Sequence, residues 1–132
     1  MRIALTSEQL MQFPIHDSEL RVFFVSRDGE GLMATIDIGI VDDSYDPGYS
    51  YPRKDGVCRL LFLNCHLIQS DFKGSWTGRD TLDAMVELTK SGLLEDVGRW
   101  SSITTATRHY QITAHSGSQI DIVSESVIIT AP

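Results

Sequence analysis

The sequence predicts an α+β domain, in which one main helix packs on one face of a mostly antiparallel sheet of about six strands. Two observations carry this prediction. Several short segments alternate apolar and polar residues with a period of two and are separated by turn-forming residues. One stretch, 81–91, instead spaces its apolar residues three and four apart, as helices do. At 132 residues without a low-complexity tract or a linker, 1–132 is expected to form a single domain.

The first third of the chain predicts a short helix followed by a hairpin. Thr6-Ser7-Glu8-Gln9 matches a capping box, which predicts a helix near 7–12 that Pro14 ends. From Leu20 the side chains take alternate faces, with Leu20, Val22 and Phe24 on one of them, and residues 32–40 alternate most regularly in the whole chain. Because turn-forming residues occupy 27–31, the two segments should pair as antiparallel strands with one wet face.

The middle of the chain predicts a long loop and then a buried strand. Residues 42–56 have no periodicity and many turn formers, so we expect a loop. Residues 57–69 are apolar on both faces, which is typical of a strand in the centre of a sheet. Within one such strand Cys58 and Cys65 would lie about 23 Å apart, at ~3.3 Å per residue. A disulfide is therefore not expected, and both thiols should be free.

The last third predicts a helix and then further strands. Leu82, Met85 and Val86 would form one helical face, with Gly92 as the residue that stops the helix. Residues 108–115 then alternate, which would place His109 and His115 together on the wetter face of a strand. A turn at 116–118, a partner strand from residue 119 and an apolar run at 127–129 complete the chain.

Charge and hydropathy exclude several classes of function. Eleven basic and eighteen acidic residues give a net charge of −7, which disfavours a nucleic-acid partner because phosphates require clustered Lys and Arg. The first residues do not resemble a signal peptide, and no segment approaches the ~18 apolar residues of a membrane span. The sequence thus predicts a cytoplasmic protein with no membrane role. The acidic balance serves solubility or selects a basic protein partner.

A cluster of ionisable residues, His16, Asp17 and Glu19, is the first candidate site. Such groups could transfer a proton, bind a metal or only anchor the start of a strand. Extended backbone would place Asp17 and Glu19 on one side and His16 on the other, so all three meet only where the chain turns. We favour a structural role in which Asp17 or Ser18 bonds to the nearby backbone, with a functional cluster as the alternative.

The second candidate site is the 42–56 loop, which combines acidic and aromatic side chains. Exposed tyrosines bury area at low entropic cost, and acidic neighbours select a basic partner. The predicted partner-binding residues are Asp42, Asp43, Tyr45, Asp46, Tyr49 and Tyr51. The alternative is a solvated turn whose tyrosines pack back on the sheet. A calcium loop is not expected, since Gly48 lies one place too late and Arg53 stands where the closing Glu would be.

No complete catalytic or cofactor motif appears. The chain has no His-x-x-x-His pair, no Gly-x-Ser-x-Gly elbow and no phosphate-binding loop. Neither a metal nor another cofactor is therefore predicted, and a binding protein is favoured over an enzyme. Two alternatives stay open. One is a small hydrolase or isomerase that uses His16, Asp17 and Glu19, and the other is a self-associating structural subunit.

The run Phe13-x-x-His16-Asp17-Ser18-Glu19-Leu20 is followed directly by two alternating strands. This segment resembles small bacterial proteins that include predicted immunity proteins of polymorphic toxin systems. The resemblance covers the first third of the chain and, loosely, the apolar strand at 60–67. It implies a cytosolic α+β protein without catalytic activity that binds a protein partner. The net charge of −7 would suit a basic toxin domain as that partner.

Overall fold

The computed structural model describes residues 2–29, 31–40, 51–73 and 81–132. Within these ranges the chain forms nine strands and two helices. The strands are β1 (Arg2–Leu5), β2 (Glu19–Asp28), β3 (Gly31–Gly39), β4 (Val57–Cys65), β5 (Leu67–Asp71), β6 (Leu82–Glu87), β7 (Arg108–Ala114), β8 (Gln119–Ser124) and β9 (Ser126–Thr130), and the helices are α1 (Ser7–Met11) and α2 (Gly92–Trp100). The mostly antiparallel character is confirmed, whereas about six strands with one main helix on one face is wrong.

The strands form two sheets that enclose the core. Sheet I has the order β1-β9-β4-β3-β2, and sheet II has the order β5-β8-β7-β6. Apolar side chains from the facing sides of both sheets belong to one buried cluster, including Leu60 and Phe62 from sheet I and Ile112 and Ile122 from sheet II. The rings of Phe62 and Tyr110, 5.7 Å apart, join the two sheets directly. The core is therefore a sheet-on-sheet core, not the helix-on-sheet core that the sequence predicts.

The chain passes directly from one sheet to the other at two places, between β4 and β5 and between β8 and β9. β4 and β5 are separated by His66 alone, and β8 and β9 by Glu125 alone. β4 pairs with β9 in sheet I, while β5 pairs with β8 in sheet II. The predicted single strand 57–69 is thus broken at His66. Asn64, with a φ of 51°, sits beside this break in the left-handed region that Asn tolerates.

The predicted helix at 81–91 is wrong, and the pairing of this segment explains why. Residues 82–87 are strand β6, whose pairing with β7 shifts register between Leu82 and Ala84. This β-bulge turns both Leu82 and Met85 toward the core, three positions apart, and so imitates helical spacing. The helix begins later, where the Ser91 hydroxyl accepts from the Leu94 amide at 3.1 Å as an N-cap. Gly92 is therefore its first residue and not its stop.

The remaining local predictions fare better. The Thr6 capping box is confirmed, since Thr6 Oγ1 accepts from the Gln9 amide at 3.1 Å and the Thr6 amide donates to Gln9 Oε1 at 2.9 Å. Cys58 and Cys65 are free, as predicted, and both are buried. Burial raises the pKa of Cys65 to about 11. Among the described residues, no helix has the length and apolar character needed to cross a bilayer.

Candidate functional site

Two imidazoles and two carboxylates meet on the surface of the protein. His16 and Asp17 come from the turn before β2, Asp83 from the start of β6, and His115 from the end of β7. We call these four residues the histidine–aspartate cluster. His16 Nε2 lies 3.5 Å from Asp17 Oδ2, and His115 Nε2 lies 3.5 Å from Asp83 Oδ1 and 3.9 Å from Asp17 Oδ1. The cluster thus gathers residues nearly 100 positions apart in the chain.

Backbone hydrogen bonds hold the three segments side by side. The Asp17 amide donates to the Leu82 carbonyl at 2.9 Å, and the Leu82 amide donates to the Ser18 carbonyl at 2.7 Å. On the other side of the same segment, the His115 amide donates to the Thr81 carbonyl at 2.9 Å. The β-bulge in β6 lies at this position, so Asp83 is exposed beside the buried Leu82. The sheet therefore sets the spacing of the cluster.

The backbone turns at Asp17, which is the predicted condition for His16 and Asp17 to meet. Asp17 has a φ of 63°, in the left-handed region, which brings His16 and Asp17 to the same side. Ser18 is buried, and its hydroxyl donates to the Pro14 carbonyl at 2.9 Å. The predicted backbone-bonding role is thus filled by Ser18, while His16 and Asp17 stay 68% and 62% exposed. Their exposure leaves them accessible to a ligand.

Glu19 does not join the cluster. It is the first residue of β2, and its carboxylate accepts from Arg21 Nε at 2.9 Å. The predicted trio of His16, Asp17 and Glu19 is therefore replaced by a different set. Sequence reasoning missed Asp83 because the bulge made β6 look helical, and it missed His115 because nothing in the sequence indicates that β7 ends beside the turn at 16–17.

Of the six predicted partner-binding residues, only Tyr51 lies within the described residues. Asp42, Asp43, Tyr45, Asp46 and Tyr49 lie outside them. Tyr51 is 5% exposed, and its ring meets that of Phe13 edge to face at 5.2 Å. This ring is part of the core and offers a partner almost no surface, as in the alternative in which the tyrosines pack back on the sheet.

Two further histidines form hydrogen-bonded chains with a serine and an acid. His66 contacts Ser101 Oγ at 2.5 Å and Glu125 Oε1 at 3.1 Å, at the point where the two strand pairs change sheets. His109 contacts Ser91 Oγ and, at 2.7 Å, Asp121 Oδ1.

These chains resemble the order of a catalytic triad, yet His109 is only 3% exposed and Ser91 caps α2. A substrate could not reach Ser91, so the hydrogen-bonded chain from Ser91 through His109 to Asp121 is structural. His109 shares a face with Gln111, Thr113 and the exposed His115, as predicted, but is itself buried there because the Ser91 N-cap of α2 contacts its ring.

A second surface feature lies at the edge of sheet I. β2 is the last strand of that sheet, and it leaves Val22 38%, Phe24 44% and Val25 46% exposed. We call these three residues the β2 surface. Beside Phe24, a groove of about 440 Å³ crosses the outer face of the sheet. Its lining includes Arg2, Asp28, Met33, Arg59 and Leu61.

Arg59, whose guanidinium is held by Asp37, adds a charged group to the lining of this groove. Its Nε and Nη2 donate to the two carboxylate oxygens of Asp37 at 2.7 and 2.9 Å, a bidentate pair. The Asp37 side chain is 7% exposed, whereas that of Arg59 is 32% exposed. The hydrogen bond to Asp37 raises the pKa of Arg59. The groove therefore combines apolar side chains with a permanently charged, oriented guanidinium.

Comparison of the chain with known proteins does not identify a family to which it belongs. No protein-family model, curated protein or solved structure matches this chain.

Proposed function

We propose that this protein is a non-enzymatic cytosolic binding module, and that its protein partner attaches along the β2 surface and the adjacent groove. The observation that supports this proposal is the exposure of Val22, Phe24 and Val25 on a ten-residue strand at the edge of a sheet. Edge strands present unpaired backbone donors and acceptors, and proteins usually protect long apolar ones. Here one of the three, Phe24, lines a groove that could receive a partner's side chain.

The binding free energy of such an interface would come mainly from the side chains at its centre. Aromatic side chains that become fully buried at the middle of an interface dominate binding, and Phe24 of the edge strand lines the groove. An extended partner segment could add to β2 through main-chain hydrogen bonds, with Phe24 and the groove selecting its side chains. Arg2, Asp28 and Arg59 would then form the polar rim of the interface.

The charge of the chain favours a basic partner. The net charge of −7 would speed the encounter with a positively charged protein, and this effect would weaken with added salt. Asp42, Asp43 and Asp46 follow β3 in the chain, and β3 is the neighbour of β2. Together with the resemblance of the segment from Phe13 to Leu20 to immunity proteins, this leads us to propose a basic toxin domain as the partner class.

The decisive experiment compares two variants as binding partners. Phe24→Thr removes the aromatic anchor but keeps a residue that favours strands, so the fold should survive. Trp100→Gln, at an exposed aromatic residue on α2 (61%, against 44% for Phe24), is the control. A candidate basic partner should bind the Trp100 variant like the unaltered protein and should dissociate at least tenfold faster from the Phe24 variant, as measured by surface plasmon resonance. Equal dissociation from both variants would remove the β2 surface from the interface.

Self-association uses the same surface and is the second candidate. Two copies could pair their β2 strands edge to edge, which would bury Val22, Phe24 and Val25 without any other partner. Sedimentation equilibrium of the unaltered protein and of Phe24→Thr distinguishes the two functions. A dimer that Phe24→Thr dissociates would favour the structural subunit, and a monomer in both cases would favour the binding module.

A further inference from the structure

We propose that the histidine–aspartate cluster binds one divalent transition-metal ion of the zinc class. The proposal is independent of the β2 surface and of the partner proposed above. Its basis is the number, type and spacing of the donor atoms, since two imidazoles and carboxylate oxygens form a mixed nitrogen and oxygen set that borderline divalent ions accept.

The spacing of the donor atoms agrees with tetrahedral coordination. Zinc binds imidazole nitrogen and carboxylate oxygen at about 2.0–2.1 Å, so neighbouring donors in a tetrahedron lie about 3.3 Å apart. Three donor pairs in the cluster are separated by 3.5, 3.5 and 3.9 Å. Donor atoms of His16, Asp17 and His115 all lie within 4.8 Å of one another. His16, Asp17 and His115 therefore form a three-ligand set, and side-chain rotations that bring their donor atoms up to about 1.5 Å closer together would give zinc coordination distances.

The hydrogen bond of His16 prepares its ring for coordination. His16 Nδ1 lies 3.0 Å from the Asp83 carbonyl oxygen. Since a carbonyl can only accept, Nδ1 carries the proton, and the lone pair of the neutral ring is on Nε2, which faces Asp17. Metal-binding histidines usually make such a bond with the second ring nitrogen, because it fixes the orientation of the ring. Asp83 thus holds His16 through its backbone and faces His115 with its carboxylate.

Charge also favours a cation at this position. With both imidazoles neutral, Asp17 and Asp83 leave two negative charges close together, and a divalent cation would compensate both. The two imidazoles distinguish this site from one for Mg²⁺ or Ca²⁺, which prefer oxygen ligands alone. The cluster should therefore select Zn²⁺ over these harder ions.

The first test uses the unaltered protein, freed of any affinity tag, and zinc alone. The chain has four histidines, and we expect each to give its own imidazole signal in a ¹H–¹³C correlation spectrum, so His66 and His109 serve as internal controls. During a Zn²⁺ titration we expect the signals of His16 and His115 to shift and to saturate at one equivalent, while the other two stay in place. A tenfold excess of Mg²⁺ should not reverse the shift. Unshifted His16 and His115 signals, equal shifts in all four, or reversal by Mg²⁺ would each overturn the proposal.

Variants then identify the ligands. His16→Gln, His115→Gln and Asp17→Asn should each weaken zinc binding at least tenfold in calorimetric titrations. Asparagine suits Asp17 because it tolerates the left-handed φ of 63°. The matched control is Asp96→Asn, at a carboxylate that is also 62% exposed but lies on α2, where affinity should not change. Affinities that stay within twofold in all four variants would refute the assignment.

Discussion

Replacing Asp121 with alanine should destabilise the protein by about 3 kcal/mol. Asp121 is 5% exposed and accepts three hydrogen bonds from side chains on the same sheet. His109 Nε2 donates to its Oδ1 at 2.7 Å, Gln111 Nε2 to the same oxygen at 3.2 Å, and Gln119 Nε2 to its Oδ2 at 2.7 Å. The substitution leaves three donors without their acceptor.

The magnitude follows from the burial of each donor. His109 is 3% exposed, so its ring would keep a buried donor without an acceptor, which costs roughly 1–3 kcal/mol. Gln111 and Gln119 are only half-buried and can turn toward water, so each loses about 0.5 kcal/mol. Together these losses amount to about 3 kcal/mol. Asp121→Asn should cost about half as much, because one oxygen can still accept from His109.

Equilibrium unfolding in urea measures this effect. With a slope of about 1.5 kcal/mol per molar urea, the midpoint of Asp121→Ala should fall by about 2 M. Asp96→Ala, at an exposed carboxylate that pairs with Arg99 of its own helix, should change stability by less than about 0.5 kcal/mol. A loss below about 1 kcal/mol for Asp121→Ala would refute the assigned role of the chain from Ser91 through His109 to Asp121.

Two further predictions concern the core. Because burial raises the pKa of Cys65 from near 9 to about 11, its alkylation by iodoacetamide at pH 8 should be about 100-fold slower in the folded than in the unfolded protein. An equal alkylation rate in both states at pH 8 would contradict the raised pKa of Cys65. Because the Cys65 thiol ionises at lower pH in the unfolded chain, its contribution to stability is complete below pH 9 and is lost between pH 9 and 11. Tyr51→Ala should lower stability by about 3 kcal/mol through loss of its contact with Phe13, and an unchanged melting temperature would show that this ring is not a core residue.

The local features of this fold could be predicted from short stretches of sequence. The capping box at Thr6, the β2–β3 hairpin, the β7–β8 hairpin and the free thiols all depend on interactions between residues near one another in the chain. Hydrogen bonding over three residues and alternation with a period of two are visible without knowledge of the rest of the molecule. For the same reason the turn around Asp17 could be recognised as the condition for a functional cluster.

Only the tertiary structure decided the second sheet and the members of the cluster. A β-bulge between Leu82 and Ala84 produced helical spacing in a strand, and a break at His66 divided one apolar run between two sheets. The sequence does not distinguish the bulged strand from a helix or show where the apolar run breaks, because both features are set by pairing with distant strands. His16 and Asp17 could be chosen as candidates from their own neighbourhood. Asp83 and His115 joined them only because the backbone of 81–83 pairs with 17–19 on one side and with residue 115 on the other.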